Sequence, residues 1–381
     1  MAFKFIHTAD WHIGKSFGAF SIEKRALLSE ARMSVIDRIA DIANSEDISH
    51  VLVAGDVFDS PRLPDSIIRQ TMHRLGQAKN VTWYMLPGNH DPAVERGIWS
   101  RVEALGQPSN VIVSRTAEVI PLVSGVALLT APVTSARTMQ DPTSSFGSMT
   151  VPEGAARIGL AHGSVQQFGR SEAEEATVLI AADRAEQDGL SYLALGDWHG
   201  QKSITDRTHY SGTPEPESFV DNEPGYVLVV SVDGAGAKPV VQRHSTAQYG
   251  WSRMEFTFDG VTAPESLLET LRSARDTGLR RLLRVKLSGK LSLEEGADLR
   301  AELDALADVL FSLEVNWDDV DLVVREADEE LFVDESLSAL ATKLGDPEQT
   351  VEGSDTRVRQ RALQLLARFA AANRGGQAHV D

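Results

Sequence analysis

One pattern constrains the fold more than any other feature: a short apolar run that ends abruptly in polar residues. It occurs five times within the first 230 or so residues, at 3–8, 51–54, 83–86, 158–161 and 192–195. Short apolar runs bounded by glycine predict buried β-strands. Helical patterns at 22–44 and 66–78 lie between several of them. The alternation predicts an α/β fold in which central β-sheets are flanked by helices.

Each apolar run is followed by side chains that bind metal ions. They are Asp10, His12, Asp56, Asn89, His90, His162, Asp197 and His199. Ligands of layered α/β folds collect at the carboxyl ends of the strands, so we expect these side chains to meet. Carboxylate, imidazole and amide groups suit two divalent ions about 3.5–4 Å apart, which stabilise the attacking and leaving oxygens of phosphoryl transfer. One such motif is typical of a turn, whereas five in order predict a metal centre.

Composition excludes other kinds of site. The chain has no cysteine, which excludes disulfides, thiolate metal sites and cysteine nucleophiles. Its formal net charge is −18, so binding to DNA would require local basic patches, metal ions or a partner. A secretory signal pattern and a run of about 20 apolar residues are both absent from the sequence, so we expect a cytoplasmic protein without membrane contact.

The sequence predicts three segments. A catalytic domain covers 1–250, and a small α+β capping domain covers 251–345, with strands at 283–287 and 310–315 around a helix at 292–308. A linker and a C-terminal helix cover 346–381. The predicted apolar stripe of that helix comprises Val358, Ala362, Leu365, Leu366 and Phe369. Such a stripe must be buried, either on its own chain or on a partner.

The polar blocks resemble the five motifs of the calcineurin-like metallophosphoesterases. The matching residues are Asp10-x-His12-x-Gly14, Gly55-Asp56-x-x-Asp59, Gly88-Asn89-His90-Asp91, His162-Gly163 and Gly196-Asp197-x-His199. The segments at 6–14 and 210–214 are similar to the SbcD-type DNA repair exonucleases within that superfamily. The resemblance implies a layered metallophosphoesterase sandwich. It also implies a two-metal-dependent DNA phosphodiesterase, an exonuclease or endonuclease that acts as the nuclease subunit of a repair complex.

The resemblance also implies how the ligands are divided. One metal would be bound by Asp10, His12 and His199, and the other by Asn89, His162 and Asp197, with Asp56 bridging them. We expect Mn²⁺, with Mg²⁺ or Fe as alternatives. The family usually has histidine where this chain has Asp197, which favours a hard metal ion. Alternatively, Asp197 is not a ligand and only one metal binds tightly.

Two neighbouring residues have implied catalytic roles. His90 would protonate the leaving 3′ oxygen or orient the scissile phosphate. Asp91 would be the partner that fixes the His90 ring.

Candidate contacts to substrate and partner are less specific. Lys15 and Lys202 closely follow ligand blocks, and His209 lies beside Tyr210. Arg284 and Lys286 share one face of a predicted strand and form a candidate patch for the DNA backbone. The resemblance implies that the C-terminal helix docks on an SbcC-like ABC-type ATPase, and a homodimer is also open.

Two other functions remain open from the sequence. The chain could hydrolyse a small phosphate ester instead of DNA, or act as a weakly active scaffold subunit of an ATPase complex. The predicted capping domain favours the nuclease over a minimal phosphatase, and the complete set of ligand blocks argues against the scaffold.

Overall fold

The computed structural model describes residues 2–135, 141–165, 179–259, 264–275, 278–324 and 335–345, together with 358–359, 361–363 and 365–366. The chain forms two compact units. The first comprises Met1–Glu217 and Asn222–Tyr249, and the second comprises Ser218–Asp221 and Gly250–Asp381. The short segment 218–221 therefore lies with the second unit, although it precedes the predicted boundary at residue 250.

The first unit contains two six-stranded sheets. The strands are β1 (Phe3–Thr8), β2 (His50–Val53), β3 (Thr82–Met85), β4 (Val111–Val113), β5 (Glu118–Val123), β6 (Val126–Ala131), β7 (Ala156–His162), β8 (Ser164–Val165), β9 (Leu179–Ile180), β10 (Tyr192–Gly196), β11 (Lys202–Ser203), β12 (Thr208–Tyr210), β13 (Tyr226–Val232) and β14 (Val240–Ser245). One sheet has the order β14-β13-β1-β2-β3-β4 and the other β11-β12-β10-β7-β6-β5, while β8 pairs with β9.

Buried strands hold the two sheets together as a sandwich. Side chains alternate between the faces of a strand: Phe5 and Leu52 belong to a buried core shared with Ile158 and Tyr192 of the other sheet. Their neighbours point the other way and pack with the helices, as Ile6 does. β1 to β4 are parallel neighbours, and so are β6, β7, β10 and β12. The predicted layered α/β sandwich is confirmed.

Helices of the first unit are α1 (Ile22–Met33), α2 (Val35–Ser45), α3 (Asp65–Gln77), α4 (Ile98–Gly106) and α5 (Arg184–Gln187), with a 3-10 helix at Pro142–Ser148. The helical pattern predicted at 22–44 forms two helices, because Ser34 separates α1 from α2. Its hydroxyl donates to the Ala31 carbonyl at 3.1 Å and accepts from Arg38 at 2.8 Å. Serine side chains that bond to nearby backbone in this way compete with the helical hydrogen bonds.

The second unit is a smaller α+β structure. Its elements are β15 (Tyr249–Phe258), α6 (Pro264–Arg275), β16 (Arg280–Ser292), α7 (Leu293–Val309), β17 (Ser312–Val323) and α8 (Glu335–Gly345). The sheet order is β15-β16-β17, and α7 connects the parallel strands β16 and β17. A capping box begins α7: Glu295 N–H donates to the Ser292 hydroxyl at 3.1 Å, and Ser292 N–H donates to the Glu295 carboxylate at 2.7 Å.

The described residues of the C-terminal segment are helical and pack on the second unit. Leu363 is fully buried in that unit's core, and Leu366 packs against it. Val358 and Leu365 are instead 60% and 54% exposed. The predicted stripe is therefore wrong for Val358 and Leu365, since the buried face is centred on Leu363. Phe369 and the predicted linker after residue 345 lie outside the described residues.

In the described part of the chain, no helix combines the length and apolar composition that a membrane crossing requires.

Candidate metal centre

The loops after the parallel strands of both sheets meet at one edge of the sandwich. Asp10 follows β1, and its N–H donates to the Gly55 carbonyl after β2 at 3.1 Å. Asp197 follows β10 in the other sheet, and its N–H donates to Asp10 Oδ1 at 3.0 Å. These hydrogen bonds connect polar blocks that are up to 187 positions apart. The carboxyl ends of the strands thus form one site, as expected for this class of fold.

Unusual backbone conformations turn the ligand side chains inward. Asp10, His12, Asp56 and Asp197 have positive φ angles of 53°, 43°, 52° and 104°. Non-glycine residues rarely adopt this region, and strained residues of this kind cluster at functional sites. Gly55 also has a positive φ, and a Cβ there would collide with the ring of His162. The close approach of the two sheets therefore requires glycine at this position.

Asp56 lies at the centre of the site. Its Oδ2 is 3.3 Å from His12 Nε2 and 3.4 Å from His162 Nε2. Its Oδ1 accepts the His90 N–H at 2.8 Å. The two histidines come from different sheets, so this one carboxylate contacts both halves of the site.

Further oxygen ligands surround His162. Asn89 Oδ1 is 2.6 Å from its Nε2, Asp197 Oδ1 is 3.9 Å from the same nitrogen, and Asp10 Oδ1 is 4.0 Å from Nδ1. Nδ1 lies 2.8 Å from the Ala54 carbonyl, to which it donates.

Among the described residues, three groups of side chains have ligand atoms within 4.8 Å of one another. They are Asp10 with His12 and His199, Asp10 with Asp56 and His162, and His12 with Asp56 and His90. Together with the contacts of Asn89 and Asp197, these groups bring all seven sequence-predicted ligands to one place. The division of those ligands between two metals stays a prediction. His90 lies close enough to join a group, although the family resemblance implies a catalytic role for it and not a ligand role.

The electrostatics of the site fit a divalent cation. Burial lowers the pKa of His162, but Asp56, Asp10 and Asp197 outweigh it and raise that pKa to about 9. Burial likewise lowers the pKa of His12, but hydrogen bonds to Asp56 and Glu217 raise it to about 10. Protons on these rings therefore balance a buried excess of carboxylates. Metal ions replace such protons when they bind to imidazole and carboxylate ligands.

The ring of His90 is fixed by backbone rather than by Asp91. Its Nδ1 donates to the Asp59 carbonyl at 2.9 Å, and the ring stacks on that of His12 with centroids 4.7 Å apart. Asp91 instead accepts from Gly88 N–H at 2.7 Å and from Phe58 N–H at 3.0 Å. The predicted contact between Asp91 and the His90 ring is therefore wrong. Asp91 holds together the backbone of two ligand loops, because a buried carboxylate can satisfy several buried N–H groups.

Candidate substrate contacts in the first unit have different surroundings. Lys15 lies at the site, with its Nζ 3.2 Å from Glu217 and 3.8 Å from Asp59. Lys202 is exposed on β11. His209 is only 6% exposed, its Nδ1 is 3.0 Å from the Ser203 hydroxyl and its ring stacks on Tyr192. These contacts give His209 a packing role instead of the suggested substrate role.

The predicted basic patch of the second unit is paired with acidic residues. Arg284 Nε is 2.7 Å from Glu314, and Lys286 Nζ is 2.8 Å from Asp319. Both partners lie on the neighbouring strand β17. The pairing neutralises much of the charge on which a DNA-backbone patch would depend.

Two residues that the sequence analysis missed contact the predicted ligands. Glu217 contacts His12 and His199, each at 3.1 Å. The Ser164 hydroxyl donates to Asp197 Oδ2. Glu217 follows the segment at 210–214 closely, which could have drawn attention to it. No sequence motif identifies a serine or a glutamate as the partner of a ligand that is distant along the chain. Only the folded structure reveals these contacts.

This arrangement of oxygen and nitrogen atoms at the edge of an α/β sandwich could hold divalent metal ions. Residues 3–174 match the family model described as "Calcineurin-like phosphoesterase". This part of the chain is therefore similar to the calcineurin-like phosphoesterases.

Similar proteins are named as DNA nucleases and repair proteins. The D subunit of the SbcCD nuclease of Bacillus subtilis (strain 168) is 27% identical over 337 residues, which cover 78% of this chain and 82% of the relative. The D subunit of the SbcCD nuclease of Rhodobacter capsulatus is 25% identical over 62% of this chain and 68% of the relative. The DNA double-strand break repair protein Mre11 of Methanococcus maripaludis is 33% identical over 23% of each chain.

Proposed function

We propose that this protein is a metal-dependent DNA phosphodiesterase that acts in DNA repair. The observation that carries the proposal is the convergence of ligand blocks from both sheets around Asp56. The similarity to the D subunit of the Bacillus subtilis SbcCD nuclease covers 78% of this chain and therefore extends beyond residues 3–174, which match the phosphoesterase family model. That extent favours a nuclease over a minimal phosphatase that acts on small esters.

The ligand sets proposed for the two metal ions use the donors described above. Asp10, His12 and His199 form the first set, Asn89, His162 and Asp197 form the second, and Asp56 is shared. Mn²⁺ is the ion we propose, because the site lacks thiolates and is rich in carboxylate and amide oxygens. When bound, such ions lower the pKa of water and stabilise negative charge on phosphoryl oxygens.

The protein itself supplies orientation and a proton. The Asp56 carboxylate accepts the backbone N–H of His90 and so fixes its backbone. The Nδ1 of the His90 ring donates to the Asp59 carbonyl. The opposite nitrogen, Nε2, is then the atom that can carry a proton to the leaving oxygen. Lys15 is 27% exposed at the edge of the site, where its ammonium group can contact a phosphate.

A nuclease complex is the assembly we propose. The names of the relatives describe one component of a larger nuclease, SbcCD. An ABC-type ATPase is the proposed partner, and the C-terminal helix is its proposed docking element. The exposed side chains of Val358 and Leu365 support this surface, because they are apolar and lie beside the buried face at Leu363. A homodimer through another surface is compatible with this assembly.

The experiment is a Mn²⁺-dependent assay on end-labelled DNA, with a small phosphodiester and a phosphomonoester run in parallel. Cleavage of DNA that requires Mn²⁺ and stops with a chelator is the expected result. Turnover of the monoester with intact DNA would instead favour the small-ester phosphatase. Metal binding without hydrolysis of any of the three would favour the scaffold.

A further inference from the structure

Glu217 is a buried carboxylate on one side of the candidate metal centre. Its side chain is 4% exposed, and it lies 3.1 Å from Nδ1 of both His12 and His199. The Lys15 ammonium is 3.2 Å away and the Arg32 guanidinium 3.1 Å away. One carboxylate therefore contacts both histidines of the first ligand set. His162 in the second set has different partners, the Ala54 carbonyl and the Asn89 amide oxygen.

The contacted atoms determine which ring nitrogen can bind a metal. A histidine whose Nδ1–H donates to a carboxylate presents a lone pair on its opposite nitrogen. In His12 that opposite nitrogen, Nε2, faces Asp56 at 3.3 Å. Carboxylates that accept from a ligating imidazole fix its tautomer and orientation and increase its basicity. Glu217 has this relation to two imidazoles at once.

Arg32 holds Glu217 in place. This arginine of α1 is 1% exposed and donates to the carbonyls of Trp11 and Glu215 as well as pairing with Glu217. The Arg32 guanidinium and the Lys15 ammonium lie beside the carboxylate, so its negative charge is paired within the fold and its oxygens can accept from both histidines.

We infer that Glu217 is a positioning residue that orients His12 and His199 toward one of the two metal sites. The inference rests on the proposed function only in requiring that the site binds metal. If Glu217 supports only one metal site, its removal should lower the metal affinity of that site and not of the other. Loss of Glu217 should weaken one metal ion, whereas loss of Ser164, which donates to Asp197 in the second set, should weaken the other.

The experiment is a calorimetric titration of the full-length, metal-free protein with Mn²⁺, with no nucleic acid present. In Glu217→Gln, one of the two binding steps should weaken about 10–100-fold, as is typical when the partner of a ligating histidine is removed. The other step should stay unchanged. Ser164→Ala is the matched control and should weaken the opposite step. The double variant should weaken both.

Two results would overturn the inference. One is a Glu217→Gln titration that matches the parent protein. The other is equal weakening of both steps together with a lower unfolding temperature, which would show a merely structural role. If Glu217→Gln does not fold, Glu217→Asp keeps the charge beside Arg32 but is one methylene too short for both histidines, and the same selective loss is expected. A parent protein that binds two Mn²⁺ but leaves DNA intact would contradict the proposed function and not this inference.

Discussion

The buried charged cluster of the first unit contrasts with an exposed ion pair of the second. In the first unit, Asp10, His12, Asp56 and His162 are at most 1% exposed and lie against one another. In the second unit, the pair of Arg284 and Glu314 has side chains that are 43% and 42% exposed. Exposed pairs contribute about 0–1 kcal/mol, whereas burial of ionised groups is costly unless they are paired or coordinate metals. The comparison shows that a buried excess of carboxylates indicates a cation site, and a solvated pair does not.

Asp56→Asn should have the strongest effect of any single substitution. Asp56 contacts the histidines of both sheets and is the proposed shared ligand, so we expect the rate of DNA hydrolysis to fall at least about 10³-fold, the loss typical of a central electrostatic group. The matched control is Asp319→Asn, which removes an equal charge from the solvated pair with Lys286. A rate assay on both variants makes the comparison. Near-parental turnover in Asp56→Asn would contradict the two-metal site.

His90→Ala should slow hydrolysis while metal binding persists. Removing a general acid costs about 10²–10⁴-fold in rate. Rates and metal content are measured on the same purified sample. Because seven other side chains supply the proposed ligands, we expect the metal content to match that of the parent. A parallel fall in metal content would identify His90 as a ligand.

Substitutions of Asp197 test whether its carboxylate belongs to the second ligand set. Asp197→Ala should lose one of two bound metal ions, and Asp197→His should retain both and stay active, with a changed metal preference. Metal stoichiometry by elemental analysis distinguishes these cases. Two ions bound to Asp197→Ala would place the carboxylate outside the ligand set.

In the second unit, effects on stability should depend on burial alone. Leu363→Ala removes a fully buried side chain, so we expect the free energy of unfolding of this unit to fall by about 2–5 kcal/mol. Leu365→Ala, on the same helix but 54% exposed, should change it little. Denaturant unfolding measures both, and metal content should be unaffected in each. Equal destabilisation by the two variants would show that the helix packs differently.

A change of pH should alter the stability of the metal-free protein, because it titrates the buried histidines of the first unit. The pKa values of His12 and His162 are raised to about 10 and about 9 from 6.5. Between pH 6.5 and these raised values, the folded, metal-free protein therefore binds more protons than the unfolded chain. Its stability should be highest near pH 6.5 and below, as far as these groups are concerned, and should fall as pH rises toward 10. Thermal unfolding in chelator tests this, and excess Mn²⁺ should reduce the loss, since metal binding favours the deprotonated rings.

Much of the site could be predicted because its ligands are local to strand ends. Asp10-x-His12 and Asp197-x-His199 are recognisable in the sequence, and parallel strands bring their carboxyl ends to one edge. The interpretation of Asp91 was wrong because adjacency in sequence does not decide where a side chain points. Its carboxylate turns toward the N–H groups of Gly88 and Phe58, where burial makes unsatisfied donors costly.

Local sequence was enough to predict the α/β class, the positions of the buried strands and the candidate metal ligands, because these follow from apolar periodicity and side-chain chemistry within short windows. The folded structure was needed to identify the distant side chains that support them. The contacts of Glu217 with His12 and of Ser164 with Asp197 depend on how the loops of two sheets approach each other. The rotation that buries Leu363 rather than Leu365 likewise depends on the shape of the core it meets. Long-range packing sets such details, and no local pattern encodes them.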